Sequence, residues 1–249
     1  MQNAVLFATA YIKDQRAWLT RYKPWIDYYQ QSPLGNLPLV LIDDGSPYLP
    51  DNSAVAICNP SEPAQLSAGQ PTIFHFNDNL GRSSLQSYPG WWRSFLFSAQ
   101  IARSNDNCKL IHIESDAYVL SPRLFQKIID LRHGWTTFWL EKYQMPETAI
   151  QVICPDQLAN LEQIERHPML NREMAEKFLP FTEIDKQMIG DRYSEFKRNR
   201  WIFRSRKFDG FPLFKTDFFF KPIPSNADFA TQVVPRQLKD FRFRNPVNV

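Results

Sequence analysis

Two short acidic sequences each follow an apolar run: Asp43-Asp44-Gly45-Ser46 after Leu39-Val40-Leu41-Ile42, and Glu114-Ser115-Asp116 after Leu110-Ile111-His112-Ile113. In an open α/β sheet the ligand crevice lies beyond the carboxyl ends of the strands, so two such endings can aim carboxylates into one cleft. On an extended segment residues i and i+2 share a face, roughly 6–7 Å apart, which lets Glu114 and Asp116 address one divalent ion. A hard cation such as Mg²⁺ or Mn²⁺ takes oxygen ligands, commonly one or two carboxylates plus phosphate oxygens, and neutralises charge on a leaving diphosphate. The plainer reading of the pair is two acidic residues solvating a strand end. Asp43 and Asp44 likewise open good turn chemistry, Asp-Gly-Ser-Pro. A turn, however, needs no second Asp at the end of a buried strand, and a carboxylate there can accept from a ribose hydroxyl or a base N–H.

The elements that must position these residues follow from hydrophobic spacing. Ala4 to Ile12 reads as a buried strand, and Trp18, Tyr22, Trp25, Ile26 and Tyr29 recur at helical spacing after Asp14, an N-terminal cap. Strands follow at Leu39–Ile42, Ala54–Cys58 and Thr72–Phe76, then a loop at Asn77-Asp78-Asn79-Leu80-Gly81. An apolar stripe of Trp91, Trp92, Phe95, Ala99 and Ala102 predicts a helix ending before Asn105-Asp106-Asn107, and Lys109–Ile113 is the next strand. Ser121-Pro122 starts another helix carrying Leu124, Phe125, Ile128, Ile129 and Leu131, which Gly134 ends. Strands at Trp135–Leu140 and Ala149–Ile153 and helices at Asp156–His167 and Arg172–Phe178 come next, with a last helix between Thr182 and Arg198. This alternation implies an α/β fold, a largely parallel central sheet with helices on both faces. Beyond Arg198 the chain turns to Phe, Pro and basic residues and reads as an irregular extension. The division expected is a core over 1–196, with a binding half over 1–130 and a second half over 131–196, followed by the extension over 197–249.

The chain of 249 residues is 43% hydrophobic, 22% charged and 14% aromatic, the composition of an ordinary globular protein. Its net charge of +3 is unevenly spread, for residues 197–249 hold 12 Lys and Arg against 4 Asp and Glu. That leaves an acidic core beside a basic extension able to meet phosphates, an anionic membrane surface or the core itself. Cys58, Cys108 and Cys154 are odd in number and far apart, so neither a disulfide framework nor a zinc knuckle is expected and a reducing cytoplasm fits. Met1-Gln2-Asn3 lacks a basic leader pattern and no apolar run approaches the ~20 residues that span a bilayer, so membrane contact is expected to be peripheral.

Taken in order, these parts resemble the GT-A nucleotide-sugar glycosyltransferases, whose large group carries a first strand, a V-D-D-G-S turn, an N-x-G loop and a D-x-D. The counterparts are Ala4 to Tyr11, Leu41-Ile42-Asp43-Asp44-Gly45-Ser46, Asn79-Leu80-Gly81-Arg82 and Glu114-Ser115-Asp116, so the likeness covers about residues 4–130. The resemblance implies that Thr9, Ala10 and Tyr11 line a base pocket, that Asp43 or Asp44 binds base or ribose, and that Asp116 holds Mn²⁺ or Mg²⁺ against a diphosphate with Glu114 beside it. Arg82 would pair with the diphosphate or the donor sugar, or be solvated on its loop. Glu114 departs from the Asp that usually opens the D-x-D, which leaves single-carboxylate or metal-independent binding open.

An inverting transferase needs a carboxylate base, and the candidates are Glu141, Glu147, Glu183 and Asp185, with Glu183 and Asp185 preferred. Their competing role is to complement a helix start. His75, His112, His133 and His167 are scattered, and His112 reads as a satisfied core histidine. G-x-S-x-G, H-E-x-x-H, the P-loop and G-x-G-x-x-G are all missing from the sequence.

The basic extension alternates charge with aromatics over Lys197–Phe208 and Phe241–Arg244. Its uses rank as cover for the core, then contact with an anionic membrane, then, distantly, single-stranded nucleic acid. The reading reached is a cytoplasmic, metal-dependent glycosyltransferase of bacterial surface polysaccharide synthesis. A UDP- or GDP-sugar would be its donor and a saccharide, free or lipid-linked, its acceptor. Two rivals are a binding module for glycans or partners on the same scaffold, and a sugar-phosphate nucleotidyltransferase. The second lacks the glycine expected in Ala8-Thr9-Ala10-Tyr11.

Overall fold

The computed structural model describes residues 3–51, 53–62, 66–84, 87–170, 172–193, 223–235 and 237–238. Its centre is β1 (Ala4–Ala10), buried at every position because a continuous apolar run suits a strand covered on both faces. Side chains alternate across the sheet, and the core divides accordingly. Leu6, Ala8 and Ala10 face the helix pair that follows β1, with Trp25 and Tyr29, whereas Val5 and Phe7 face Phe95, Ala99 and Ala102.

The strands β2 (Leu39–Asp43), β3 (Ala56–Cys58), β4 (Thr72–His75), β5 (Lys109–Ile113), β7 (Trp135–Leu140), β8 (Met145–Ile153) and β9 (Glu183–Asp185) complete an eight-stranded sheet in the order β3-β4-β2-β1-β5-β8-β7-β9. All its pairings are parallel except those of β8, which runs antiparallel to β5 and to β7. The mostly parallel sheet expected from the sequence is therefore present. Between Thr137 and Phe138 the register with β8 jumps, since Thr137 faces Gln151 and Phe138 faces Glu147. The Thr137 hydroxyl satisfies the bulge by donating to the Glu147 carbonyl at 2.5 Å or the Ile150 carbonyl at 3.1 Å. A small second sheet has the order β10-β11-β6, from β10 (Gly190–Arg192), β11 (Phe229–Thr231) and β6 (Tyr118–Val119).

Asp14 caps α1 (Gln15–Ala17), accepting from the Ala17 N–H at 2.7 Å, and a π turn (Trp18–Tyr22) joins α1 to α2 (Lys23–Gln30). Pro24 explains the wider turn: it has no N–H, and its ring would strike the carbonyl four residues back in a regular helix. The Lys23 N–H accordingly reaches the Trp18 carbonyl, five residues back. α3 (Pro89–Ser104) begins at a proline and packs Trp92, Phe95, Ala99 and Ala102 on the sheet. α4 (Pro122–Asp130) is capped by Ser121. Lys109, buried at the start of β5, donates to the α4 end carbonyls of Ile128, Ile129 and Leu131 at 2.9, 3.0 and 3.2 Å, where the helix dipole favours a cation. α5 (Leu158–Gln163) and α6 (Ala175–Phe178) are the last α-helices among the described residues, α6 being shorter than the spacing predicts.

The helix expected between Thr182 and Arg198 is replaced, within the described residues, by β9 and β10. The open edge of β7 draws residues 183–185 into a parallel pairing, with Ile184 opposite Thr137, and the Thr182 hydroxyl accepts from the Trp135 N–H at 2.8 Å. Residues 223–235 fall in the stretch expected to be irregular, yet they hold β11. Ile223, Ala227, Phe229, Ala230 and Val233 bury in the same cluster as Leu6. Most of 197–249, including both alternating aromatic-basic stretches, lies outside the described residues. Among the described residues no helix is long and apolar enough to cross a membrane.

Candidate functional site

Because β4, β2, β1 and β5 are parallel neighbours, their carboxyl ends open on one side of the sheet. Both acidic sequences lie there. Asp43, the last residue of β2, is fully buried, and its carboxylate accepts from the Ser46 N–H at 3.0 Å, from the Ser46 hydroxyl, and faces His75 Nδ1 at 2.6 Å. The Ser46 oxygen in turn accepts from the Ile12 N–H. One carboxylate thus stitches together the ends of β1, β2 and β4.

Asp44 does the same for the Asn79-Leu80-Gly81 loop and α3. Its Oδ2 accepts from the Gly81 N–H at 2.8 Å and Asn79 Nδ2 at 3.0 Å, and its Oδ1 meets Arg93 Nη2. Arg93 also reaches Asp78 at 2.6 Å and lies over the Phe76 ring at 4.2 Å. The close fit demands small residues: a Cβ on Gly90 would lie 1.9 Å from Asp44 Oδ2, and Gly45 takes φ +69° with its absent Cβ 2.2 Å from the Asp78 carbonyl oxygen. Both acidic residues of the turn are therefore engaged within the protein.

On the other side of β1, Glu114 stands opposite Thr9. It accepts from the Thr9 hydroxyl at 2.8 Å and from Trp91 Nε1 at 2.5 Å, and faces His112 Nε2 at 3.1 Å. Burial alone would push its carboxyl up, but the His112, Trp91 and Thr9 contacts outweigh that and hold it below the ordinary value of 4.5. His112 is fully buried, tilted against the Phe7 ring at 4.9 Å.

Asp116, two residues on, meets a different partner. Arg21, carried on the π turn, places Nη2 3.2 Å from Asp116 Oδ2 and donates from Nε to the Ser115 hydroxyl at 2.6 Å. Burial lifts the Asp116 carboxyl above its ordinary value; Arg21 pulls it down, and Glu114 and Glu147 add repulsion that raises it. Burial works against the Arg21 charge as well, yet the Asp116 carboxylate outweighs it and the guanidinium stays firmly protonated. Next to this pair, the Tyr22 hydroxyl accepts from the Tyr11 N–H at 3.0 Å and donates to the Tyr11 carbonyl at 2.9 Å, and Tyr11 as a residue is 45% exposed. Ala10 is buried, its carbonyl bonded to the Asp44 N–H at 2.9 Å.

The structure thus gathers Thr9, Ala10, Tyr11, Asp43, Asp44, Glu114 and Asp116 at one sheet edge. Arg82 turns back on its own loop, donating to the Ser84 carbonyl at 2.7 Å and lying over the Tyr88 ring at 4.5 Å. Glu183 and Asp185 are not brought to this edge. They lie on β9, three strands beyond β5, and both carboxylates pair with Lys127 Nζ. They complement no helix start, because no helix forms there. Glu147 is buried in a network: Arg192 Nε donates to it at 2.9 Å and the Thr231 hydroxyl at 2.8 Å, while Arg192 also reaches Glu176 at 3.0 Å.

Arg21, Trp91 and Arg93 are the site residues that sequence reasoning missed. Trp91 was legible only as part of a helical stripe, and nothing local marks either arginine, since their carboxylate partners lie far off in the chain. The donor set suits a resident divalent ion poorly. Glu114 has Oε1 engaged by Thr9, Trp91 and His112 and Oε2 only shared with the same Thr9 hydroxyl, Asp116 is paired to a guanidinium, and among the described residues no three His, Cys, Asp or Glu side chains are grouped to hold a metal.

Three buried or half-buried carboxylates give folding a defined pH dependence. Glu114 is one; Asp185 is held low, against burial, by Lys127 and the Gln187 and Met188 N–H groups, and Asp228, also against burial, by Arg123, Ser121 and the Ile189 N–H. A depressed folded-state value means that the stability contributed is complete above the ordinary values of 3.8 and 4.5 and is lost as pH falls through the lower folded values. Asp116, raised, works in the opposite direction over its own interval. Urea midpoints are expected to be flat between about pH 7 and 5.5 and to fall steadily below about pH 4.5, with three groups against one. A midpoint that rises on acidification would contradict these assignments.

No protein-family model and no curated protein matches this chain. Among solved structures it is similar to a glycosyltransferase involved in the glycosylation of the major capsid of PBCV-1, at 10% identity and a TM-score of 0.46, over 96% of this chain and 99% of that one.

Proposed function

We propose that the protein transfers a sugar from a nucleotide-diphosphate donor to a saccharide acceptor, with the donor lying across the carboxyl ends of β4, β2, β1 and β5. The observation that carries this reading is the meeting of two acidic strand ends at the point where β1 has β2 on one side and β5 on the other. In open α/β sheets this reversal of strand order is where nucleotides bind. The exposed Tyr11 side chain offers a surface for a base, and the Arg21 guanidinium, held by Asp116, offers a cation for phosphates. The order of motifs along residues 4–130 supports the same donor class and, through the resemblance, surface polysaccharide assembly as its setting.

Calorimetric titration of UDP, GDP and CMP tests the reading. One of them is expected to bind saturably, and Tyr11→Ala to weaken it by about tenfold through loss of one aromatic face. Absence of binding by all three nucleotides, with and without Mn²⁺, would sink it.

A further inference from the structure

We propose that Arg21 is the cation that receives the donor's diphosphate, steadied by Asp116 and Ser115, and that donor binding needs no divalent metal. This rests on the nucleotide-sugar reading of the cleft. It departs from the metal-dependent scheme that the E-S-D sequence invites.

The argument begins with what a metal would need. Two carboxylates two residues apart share an ion best when both are free, and here Glu114 commits Oε1 to Thr9, Trp91 and His112 and shares Oε2 with the same Thr9 hydroxyl. To turn it toward an ion would take the acceptor from a half-buried indole N–H and from the Thr9 hydroxyl. Asp116 keeps the partner that a carboxylate beside a diphosphate requires, but that partner is a guanidinium.

Arg21 is equipped for the role. Its side chain is 44% exposed, against 26% for Asp116, although its surroundings still desolvate the guanidinium. Nε is committed to Ser115 and Nη2 to Asp116, whereas Nη1 has no partner among the described residues. A guanidinium fixed on two edges presents its remaining donors in a set geometry, and its planar fork matches phosphate oxygens. The local backbone serves the same end. Arg21 sits inside the π turn that Pro24 imposes, and π turns within helices recur at functional sites because they offset a side chain from the regular helical face.

The test uses the full chain and two kinds of probe. Inorganic pyrophosphate reports the anion site without a base, and UDP, GDP and CMP report the nucleotide site. In EDTA, pyrophosphate and the preferred nucleotide are expected to bind within about twofold of their affinity in Mn²⁺, and Arg21→Gln to weaken both by about 10- to 100-fold. Arg21→Lys is expected to recover part of the loss, and the matching nucleoside, which has no phosphate, to be unaffected by either change. Circular dichroism melts establish that the variants are folded; if Arg21→Gln is not, the comparison of EDTA with Mn²⁺ on the unaltered protein decides. Binding that appears only with Mn²⁺, survives Arg21→Gln and is abolished by Asp116→Asn would overturn the inference while leaving the transferase reading intact. Arg21-dependent binding of pyrophosphate with no nucleotide bound would sink the transferase reading and the donor role of Arg21 with it, leaving a bare anion site.

Discussion

Gly45→Ala is expected to lower folding stability by ~2–5 kcal/mol, the sum of a left-handed backbone forced on an L side chain and an overpacked contact. Both terms come from one position. Gly45 has φ +69°, and a Cβ there would meet Asp78 O at 2.2 Å, Asp78 C at 2.4 Å and Asn79 N at 2.7 Å. All three are backbone atoms, so no rotamer change relieves the clash. The loop cannot simply retreat, because Asp44 holds Asn79 and Gly81 and Arg93 holds Asp78. Urea denaturation measures the loss, and Gly45→Asn separates its causes. Asn tolerates positive φ, so if backbone strain dominates, the Asn variant recovers most of the stability; if the Asp78 contact dominates, the two variants match. A midpoint within error of the unaltered protein for Gly45→Ala would mean that the turn and the loop are not held as described.

The second large effect lies in the network behind Asp116. Removal of one partner from a buried ion pair leaves an uncompensated charge and typically costs ~3–5 kcal/mol. Glu147→Ala takes a two-contact carboxylate partner from Arg192, which still pairs with Glu176 at 3.0 Å, so the cost is expected at the lower end of that range, and it also takes an acceptor from the Thr231 hydroxyl and the Ala149 N–H. The loss should not be uniform. Because Thr231 belongs to β11 and Arg192 to β10, amide exchange at Thr231 and Tyr193 is expected to accelerate more than exchange in β1. Glu147→Gln preserves shape and can still accept from Thr231, so it should cost less than the alanine variant. Equal losses for Gln and Ala, or an unchanged urea midpoint for Ala, would remove the ion pair from the account.

The two acidic strand ends were legible because each apolar run is unbroken and each ends in turn chemistry. The caps at Asp14 and Ser121 were legible because capping is local. The use of the acidic residues was not. That Asp43 and Asp44 also spend their oxygens on His75, Asn79, Gly81 and Arg93 depends on segments that only the folded sheet brings together. Residues 183–185 and 190–192 escaped because strands of three residues carry too little period to read, and their pairing partners, Trp135–Leu140 and Phe229–Thr231, supply the reason for their form. Arg21 escaped for the same reason at longer range, since its partners lie more than ninety positions away. Glu183 and Asp185 were chosen for their chemistry, and the fold gave that chemistry to Lys127.

The small sheet has a bearing on how this protein is made. Its middle strand, β11, lies between β10 and β6, and the Val233 N–H closes on the Asp116 carbonyl at 2.9 Å, while the Leu120 N–H waits on the Asp228 carbonyl at 2.7 Å. A chain emerging from the ribosome exposes Asp116 and Leu120 long before those partners exist, so the strand end that carries the cleft acquires its backing only when residues 228–233 have been synthesised. Release after β9 but before these residues is expected to leave a sheet able to collapse around β1 with the backbone at Asp116 and Leu120 lacking these partners, a species whose exposed edge invites a chaperone or a protease.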